Sequence, residues 1–169
     1  MDVLRRLSIS KKIYLIPFIG TLSFIIYLLL ASNTALNNVK TLEQTRDVQF
    51  PVLQSAQSSL VLLERIRDSL ASAVTTGDEE SLTGAAAFSR QLTQDLTNIT
   101  QLNRNYANDL SAIQRSYDAY YQVAYNVSQE MINNTADFST LPQRSEKMNA
   151  DYDTTALLLS QFRDMRLQE

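Results

Sequence analysis

Residues 73–82 read AVTTGDEESL, and this stretch separates two segments that carry the same helical pattern. Gly77 suits the left-handed residue that closes one helix, and Asp78 suits the N-cap of the next. Glu79 and Glu80 would then lie in a first helical turn, where the helix dipole favours negative charge. The stretch therefore predicts a tight turn between two helices. Cation binding by these acids is the alternative, but helix-start acids are the simpler interpretation.

Apolar residues recur at steps of three and four on both sides of this turn and in two later segments, as on buried helix faces. Only three glycines and three prolines occur, which favours a few long helices, and no strand-like alternation competes. The four apolar stripes are Leu53, Ala56, Leu60, Leu63, Ile66, Leu70 and Ala73; Leu82, Ala85, Phe88, Leu92, Leu96 and Ile99; Leu110, Ile113, Tyr117, Tyr120, Ala124, Val127 and Met131; and Met148, Tyr152, Thr155, Leu159 and Phe162.

Two further breaks separate the stripes. Residues 135–142, TADFSTLP, form a good break, with Pro142 allowed at the start of the following helix. Asn103, Asn105, Asn108 and Asp109 form a weaker one, because the apolar phase could also run through them as one continuous helix.

Helix lengths favour a turn within residues 103–109. A helix from 32 to 77 reaches about 68 Å, and an unbroken return from 79 to 134 would need about 84 Å. With the turn, three later helices of about 40 Å each match the first helix beyond Pro51. The expected fold is all-α, an antiparallel up-down-up-down four-helix bundle, with a bend or interruption at Pro51.

Residues 13–31, IYLIPFIGTLSFIIYLLLA, contain no acidic or basic side chain. As a helix they span about 28 Å, close to the roughly 30 Å hydrocarbon thickness of a bilayer. The sequence therefore predicts a transmembrane helix that continues into the bundle. A cleaved signal peptide is the alternative, but its apolar core is usually shorter, and residues 31–35 make a poor cleavage site.

Charge asymmetry predicts the orientation of this span. Residues 1–12 carry a net charge of +3, and the rest of the chain carries −6. Basic flanks stay in the cytoplasm, so residues 1–12 are expected inside and residues 32–169 outside. The last helix would end short of the membrane, which suggests a fragment whose parent continues to a second span.

The composition disfavours catalysis within this chain. It has no histidine and no cysteine, which removes the commonest general base, nucleophilic dyads and most transition-metal sites. Its two glycines beyond the span are too isolated for a phosphate-binding loop. Dispersed, outnumbered basic residues disfavour nucleic-acid binding. No enzyme activity, cofactor or metal is expected.

Five residues are candidates for ligand binding. Arg65 and Arg67 flank the first stripe and could clamp a ligand carboxylate, or could instead pair with neighbouring acids. Tyr117 and Tyr121 belong to a tyrosine-rich run, and Tyr152 lies on the last helix. Tyrosines suit a pocket with a wet end, but at helical spacing they also suit a bundle core.

The basic start, the apolar span, Pro51 and the tip at residues 73–82 together resemble the N-terminal sensor region of bacterial methyl-accepting chemotaxis proteins. Residues 117–125, YDAYYQVAY, look like the third-helix pattern of the same group. The resemblance implies a homodimeric inner-membrane receptor that senses a small molecule or a periplasmic binding protein and signals by displacement of its last helix. Sensor regions of histidine kinases and diguanylate cyclases share this architecture, and a membrane-anchored helical scaffold is a further alternative.

Overall fold

The computed structural model describes residues 9–167, so residues 1–8 of the predicted cytoplasmic segment lie outside it. Every regular element within the described range is helical, which confirms the prediction of an all-α protein. The elements are α1 (Ile9–Gln44), a π-helical turn (Thr45–Gln49), α2 (Phe50–Thr76), α3 (Glu79–Leu102), a 3-10 turn (Arg104–Tyr106), α4 (Ala107–Ile132) and α5 (Leu141–Leu167).

The chain divides into two compact units, one ending at Thr45 and the other beginning at Arg46. The first unit is α1, and residues 32–45 belong to it by their contacts. Side chains 20–35 of α1 are all exposed. Of the span predicted at residues 13–31, the side chains of 13–16, 18 and 19 lie outside those described. Among the described residues, no helix has both the length and the hydropathy needed to cross a membrane.

The interruption expected at Pro51 is present as five π-helical residues immediately before α2. Proline has no backbone N–H and its ring crowds the preceding turn, so an α-helix loses a hydrogen bond and is strained at that position. The five residues before α2 form a wider π turn, in which the α-helical hydrogen-bond pattern is locally interrupted. Pro51 then occupies the first turn of α2, where its missing donor costs least.

The turn between α2 and α3 has the predicted geometry. Gly77 has φ of 69°, and its N–H donates to the Ala73 carbonyl at 2.9 Å. The Asp78 side chain accepts hydrogen bonds from the backbone N–H groups of Glu80 at 2.9 Å and Ser81 at 3.2 Å. These bonds lower the pKa of the Asp78 carboxyl, because they favour its charged form.

The weak break also proves to be a turn, and the continuous-helix alternative is wrong. Asn103 is extended, with φ of −149° and ψ of 108°, and its side chain accepts from the N–H of Asn105 at 3.0 Å. This local bond stops α3 and starts the 3-10 turn, as asparagine commonly does. The break before Pro142 is also confirmed, since α4 ends at Ile132 and α5 begins at Leu141.

Helices α2 to α5 share one core, formed mostly by the four predicted stripes. Leu60, Phe88, Met148 and Tyr152 are half-buried and pack against its margin. Burial along α5 is uneven, because its buried residues are Thr155, Leu159 and Phe162, all in its second half. The first half of α5 therefore lies against the bundle but contributes no completely buried side chain to its core.

Candidate ligand cavity

A cavity of about 380 Å³ lies where the end of α2, the end of α4 and the beginning of α5 meet. Its walls are mainly apolar, with one arginine and several hydroxyl groups. The lining residues are Arg67, Leu70, Ala71, Val74, Thr75, Tyr120, Ala124, Val127, Ser128, Met131, Leu141, Ser145 and Met148. This size and lining are typical of small-molecule pockets.

Small side chains open this space. Ala71 on α2 and Ala124 and Ser128 on α4 are short side chains in the lining. Opposite them, Leu141, Ser145 and Met148 come from the half of α5 that buries no side chain completely. The cavity therefore follows from short side chains facing a thinly packed helix.

Three hydroxyl groups of the lining have no hydrogen-bond partner among the described residues: those of Tyr120, Ser128 and Ser145. Tyr120 is only 2% exposed and Ser128 only 5%. By contrast, the buried hydroxyl of Ser59 donates to the Ser55 carbonyl at 2.9 Å. Burial raises the pKa of the Tyr120 hydroxyl, so this group stays neutral and can donate or accept a hydrogen bond. These hydroxyls are available to a molecule in the cavity.

Two of the predicted site residues meet beside the cavity: Arg67, which lines it, and Tyr152, which does not. The Arg67 guanidinium lies 4.7 Å from the centroid of the Tyr152 ring, within cation–π range. The Tyr152 ring in turn contacts Tyr120 edge-on, with centroids 5.3 Å apart. Arg67 also approaches Asp68 at 3.6 Å and Glu64 at 4.0 Å, as the alternative interpretation expected. Both acids are exposed, so these pairs are weak.

Tyr117 and Tyr121 lie elsewhere, on the side of α4 that faces α3. Tyr117 is 1% exposed, and its hydroxyl donates to Ser89 Oγ at 2.5 Å. Burial raises its pKa, and the ring stacks on Tyr121 with centroids 5.7 Å apart. Tyr121 continues to Tyr125 at 5.6 Å. This arrangement fits a bundle core with a hydrogen-bonded hydroxyl.

Arg65 belongs to a third place, on the open surface between α2 and α3. Its guanidinium lies 5.7 Å from the centroid of the Phe88 ring. It lines a shallow groove together with Gln54, Gln57 and Gln91. The structure thus brings Arg67 and Tyr152 together and keeps Arg65 and the Tyr117–Tyr121 pair apart from them.

A bidentate ion pair joins α4 to α5 beside the cavity. Arg144 donates to Glu130 through Nη1 at 2.6 Å and Nη2 at 3.0 Å. The hydrogen bonds from Arg144 lower the pKa of the Glu130 carboxyl. Glu130 directly precedes Met131 and Arg144 directly precedes Ser145, and both Met131 and Ser145 line the cavity. The pair therefore holds the first half of α5 where apolar packing is thin.

A hydroxyl contact joins the same two helices further along. The Thr155 hydroxyl donates to the Asp151 carbonyl at 2.7 Å, and Ser116 Oγ lies 2.9 Å from it. Thr155 is completely buried, so this contact fixes the position of α5 along its axis relative to α4.

Sequence reasoning missed most of the cavity. Tyr120 stood within the tyrosine-rich run but was assigned to the apolar stripe. Ser128 gave a usable signal, because it is a polar residue one helical turn beyond Ala124 on the buried face. Ser145 gave none. Within the described residues no group of three or more acidic side chains converges as a metal site would require.

Comparisons of the chain with known protein families, curated proteins and solved structures found no match.

Proposed function

We propose that this chain is the membrane-anchored sensor region of a bacterial transmembrane receptor of the methyl-accepting chemotaxis type. Residues 1–12 are cytoplasmic, residues 13–31 cross the inner membrane, and residues 32–169 form the periplasmic sensor. The receptor acts as a homodimer, has no catalytic role in this region, and signals by displacement of α5 when a small molecule or a loaded binding protein is bound.

The observation that carries this proposal is the surface of α1. From Leu22 to Leu30 its large apolar side chains are each between 48% and 67% exposed. So continuous an apolar surface is costly in water at about 25 cal/mol per Å², whereas a bilayer solvates it. The second unit, in contrast, buries its own apolar core under a polar surface. A membrane anchor followed by a water-exposed bundle accounts for both the exposed apolar surface of α1 and the buried apolar core of the second unit.

Contacts between helices support the up-down-up-down arrangement. Between two contacting helices, residues further along the first helix contact residues earlier in the second helix, as antiparallel packing requires. The pairs are Gln57 with Arg163 and Arg67 with Tyr152 for α2 and α5, and Ser116 with Thr155 and Glu130 with Arg144 for α4 and α5. The two-residue connection at Gly77 and Asp78 supports the same relation for α2 and α3.

The cavity supports a sensory role within that arrangement. A ligand between α2, α4 and α5 would contact the thinly packed half of α5 directly. It shifts the helix only if it binds one packing of α5 better than another. Packed helices have discrete arrangements, so a small change at the cavity can select between them.

Thiol labelling tests the proposal, because the chain has no cysteine and any introduced one is unique. Ser8→Cys probes the predicted cytoplasmic end, and Gln143→Cys probes an exposed position on α5. In right-side-out spheroplasts a membrane-impermeant maleimide should label the cysteine at 143 and leave the one at 8 unlabelled until lysis. The chain should also stay in the membrane pellet after an alkaline carbonate wash.

Recovery of the chain in the soluble fraction would contradict the proposal. So would a mature N-terminus beyond residue 31, which is the outcome expected of a cleaved signal peptide.

A further inference from the structure

We propose that the cavity between α2, α4 and α5 binds a small organic monocarboxylate with a compact apolar body, such as a single ring or a short acyl chain. This inference rests on the proposed sensory function and names the ligand class. It follows from the chemistry of the lining, taken wall by wall.

The walls define the body of the ligand. Leucine, valine and methionine side chains from three helices surround a space of about 380 Å³. Such a space accommodates one ring or a short chain, and burial of an apolar group there is favourable because it removes that group from water. Sugars and other polyhydroxylated solutes do not fit these walls, since most of their hydroxyls would lack partners.

The hydroxyl groups supply polar positions in the lining. Tyr120, Ser128 and Ser145 present three hydroxyls with no partner among the described residues. Their oxygens are not among the buried atoms that lack a partner, so they reach the open space of the cavity and can each bond a ligand atom or water. All three can donate to an oxygen acceptor.

Charge identifies that acceptor as anionic. Arg67 is the one charged residue among the thirteen described lining residues, and no acid is present there. Its contacts with Glu64 and Asp68 are long and exposed, so a carboxylate in the cavity can compete for the guanidinium. Arginine binds carboxylates through two parallel hydrogen bonds. A single cation favours one carboxylate over two.

The test compares phenylacetate with phenylacetamide, which has a similar shape and no charge. Binding to the full chain in lipid nanodiscs is measured by calorimetry. Phenylacetate should bind about tenfold more tightly than the amide, since hydrogen bonds to charged groups are the stronger ones. Arg67→Gln should make the two affinities equal. Arg65→Gln, a matched change on the same helix outside the cavity, should leave both unchanged.

A second variant fills the cavity without disturbing the core. Ala71 lines the cavity at an exposed position, so Ala71→Phe should fold normally, which far-UV circular dichroism checks. It should abolish binding of both molecules. Equal affinities for acid and amide in the unaltered chain, or binding that survives Ala71→Phe and Arg67→Gln, would overturn the inference. If phenylacetate fails to bind while thiol labelling gives the expected topology, the ligand class is wrong and the receptor proposal stands.

Discussion

The hydrogen bond between Tyr117 and Ser89 allows a decision between the two roles considered for Tyr117, core residue or ligand contact. The Tyr117 hydroxyl is buried and Ser89 is only half-buried. Tyr117→Phe leaves the Ser89 hydroxyl able to bond Tyr121 or water, so we expect the free energy of unfolding to fall by about 1 kcal/mol. Ser89→Ala leaves the buried phenol without an acceptor and should cost about 2 kcal/mol.

The double variant should cost less than the two single changes together, because it leaves neither group unsatisfied. The expected coupling is about 1 kcal/mol. Guanidinium unfolding of the full chain in detergent micelles, followed by near-UV circular dichroism of the tyrosines, gives these values. Tyr125→Phe is the control and should change stability by less than about 0.5 kcal/mol, since that half-buried hydroxyl makes no hydrogen bond within the described residues.

A Tyr117→Phe variant that keeps full stability but loses phenylacetate binding would refute the core assignment. Additive effects of the two single changes would refute the hydrogen bond itself. The first result would return Tyr117 to the set of ligand contacts.

Three further predictions concern the turn, acid pH and α5. Gly77→Ala places a side chain on a residue with left-handed backbone geometry and should lower the free energy of unfolding, measured by thermal denaturation, by about 1 kcal/mol. Gly84→Ala, inside α3 with open space around it, should raise the free energy of unfolding by about 0.5–1 kcal/mol. Changes of the same sign in both variants would contradict the assignment of the turn. The pKa values of Asp78 and Glu130 are lowered in the folded chain, so their stabilisation is present above the unfolded values, about 3.9 for aspartate and about 4.3 for glutamate, and should be lost as pH falls through their folded pKa values. Urea titrations at stepped pH should show that the free energy of unfolding depends less steeply on pH in Glu130→Gln. That substitution should also speed amide hydrogen exchange in the first half of α5 more than in the second, and the exchanged pair Glu130→Arg with Arg144→Glu should restore protection; uniform acceleration along α5 would show that the ion pair does not hold this half.

The fold was largely predictable because its signals are local. Gly77 and Asp78 set a turn through backbone geometry alone, and the apolar stripes need only the helical period. Asn103 was harder, because a side chain that bonds the backbone competes with an apolar phase that would continue the helix. The position of the π-helical turn before Pro51 could not be read from the sequence, which indicated only that a break was required.

The site was less predictable because it depends on which neighbour each helix face meets. At about 100° per residue, Tyr120 lies roughly 60° to one side of Tyr117, and Tyr121 roughly 40° to the other. These small rotations direct Tyr120 toward Tyr152 on α5 while Tyr117 meets Ser89 on α3. The sequence supplies the angles along one helix but not the positions of the surrounding helices. Arg67 was identifiable because the sequence alone shows a basic residue next to a buried apolar stripe.

The buried contact of Thr155 with Ser116 determines what kind of movement α5 can make. Sliding along its axis would break that contact, whereas tilting about it would not. Thr155 lies about 21 Å from the start of α5 and about 18 Å from its last described residue. If α5 tilts as a rigid body about Thr155, an outward displacement of about 1 Å at the cavity end gives an inward displacement of about 0.9 Å at the other end. In the receptor that we propose, binding at the cavity would therefore displace the far end of α5 sideways by nearly the same distance.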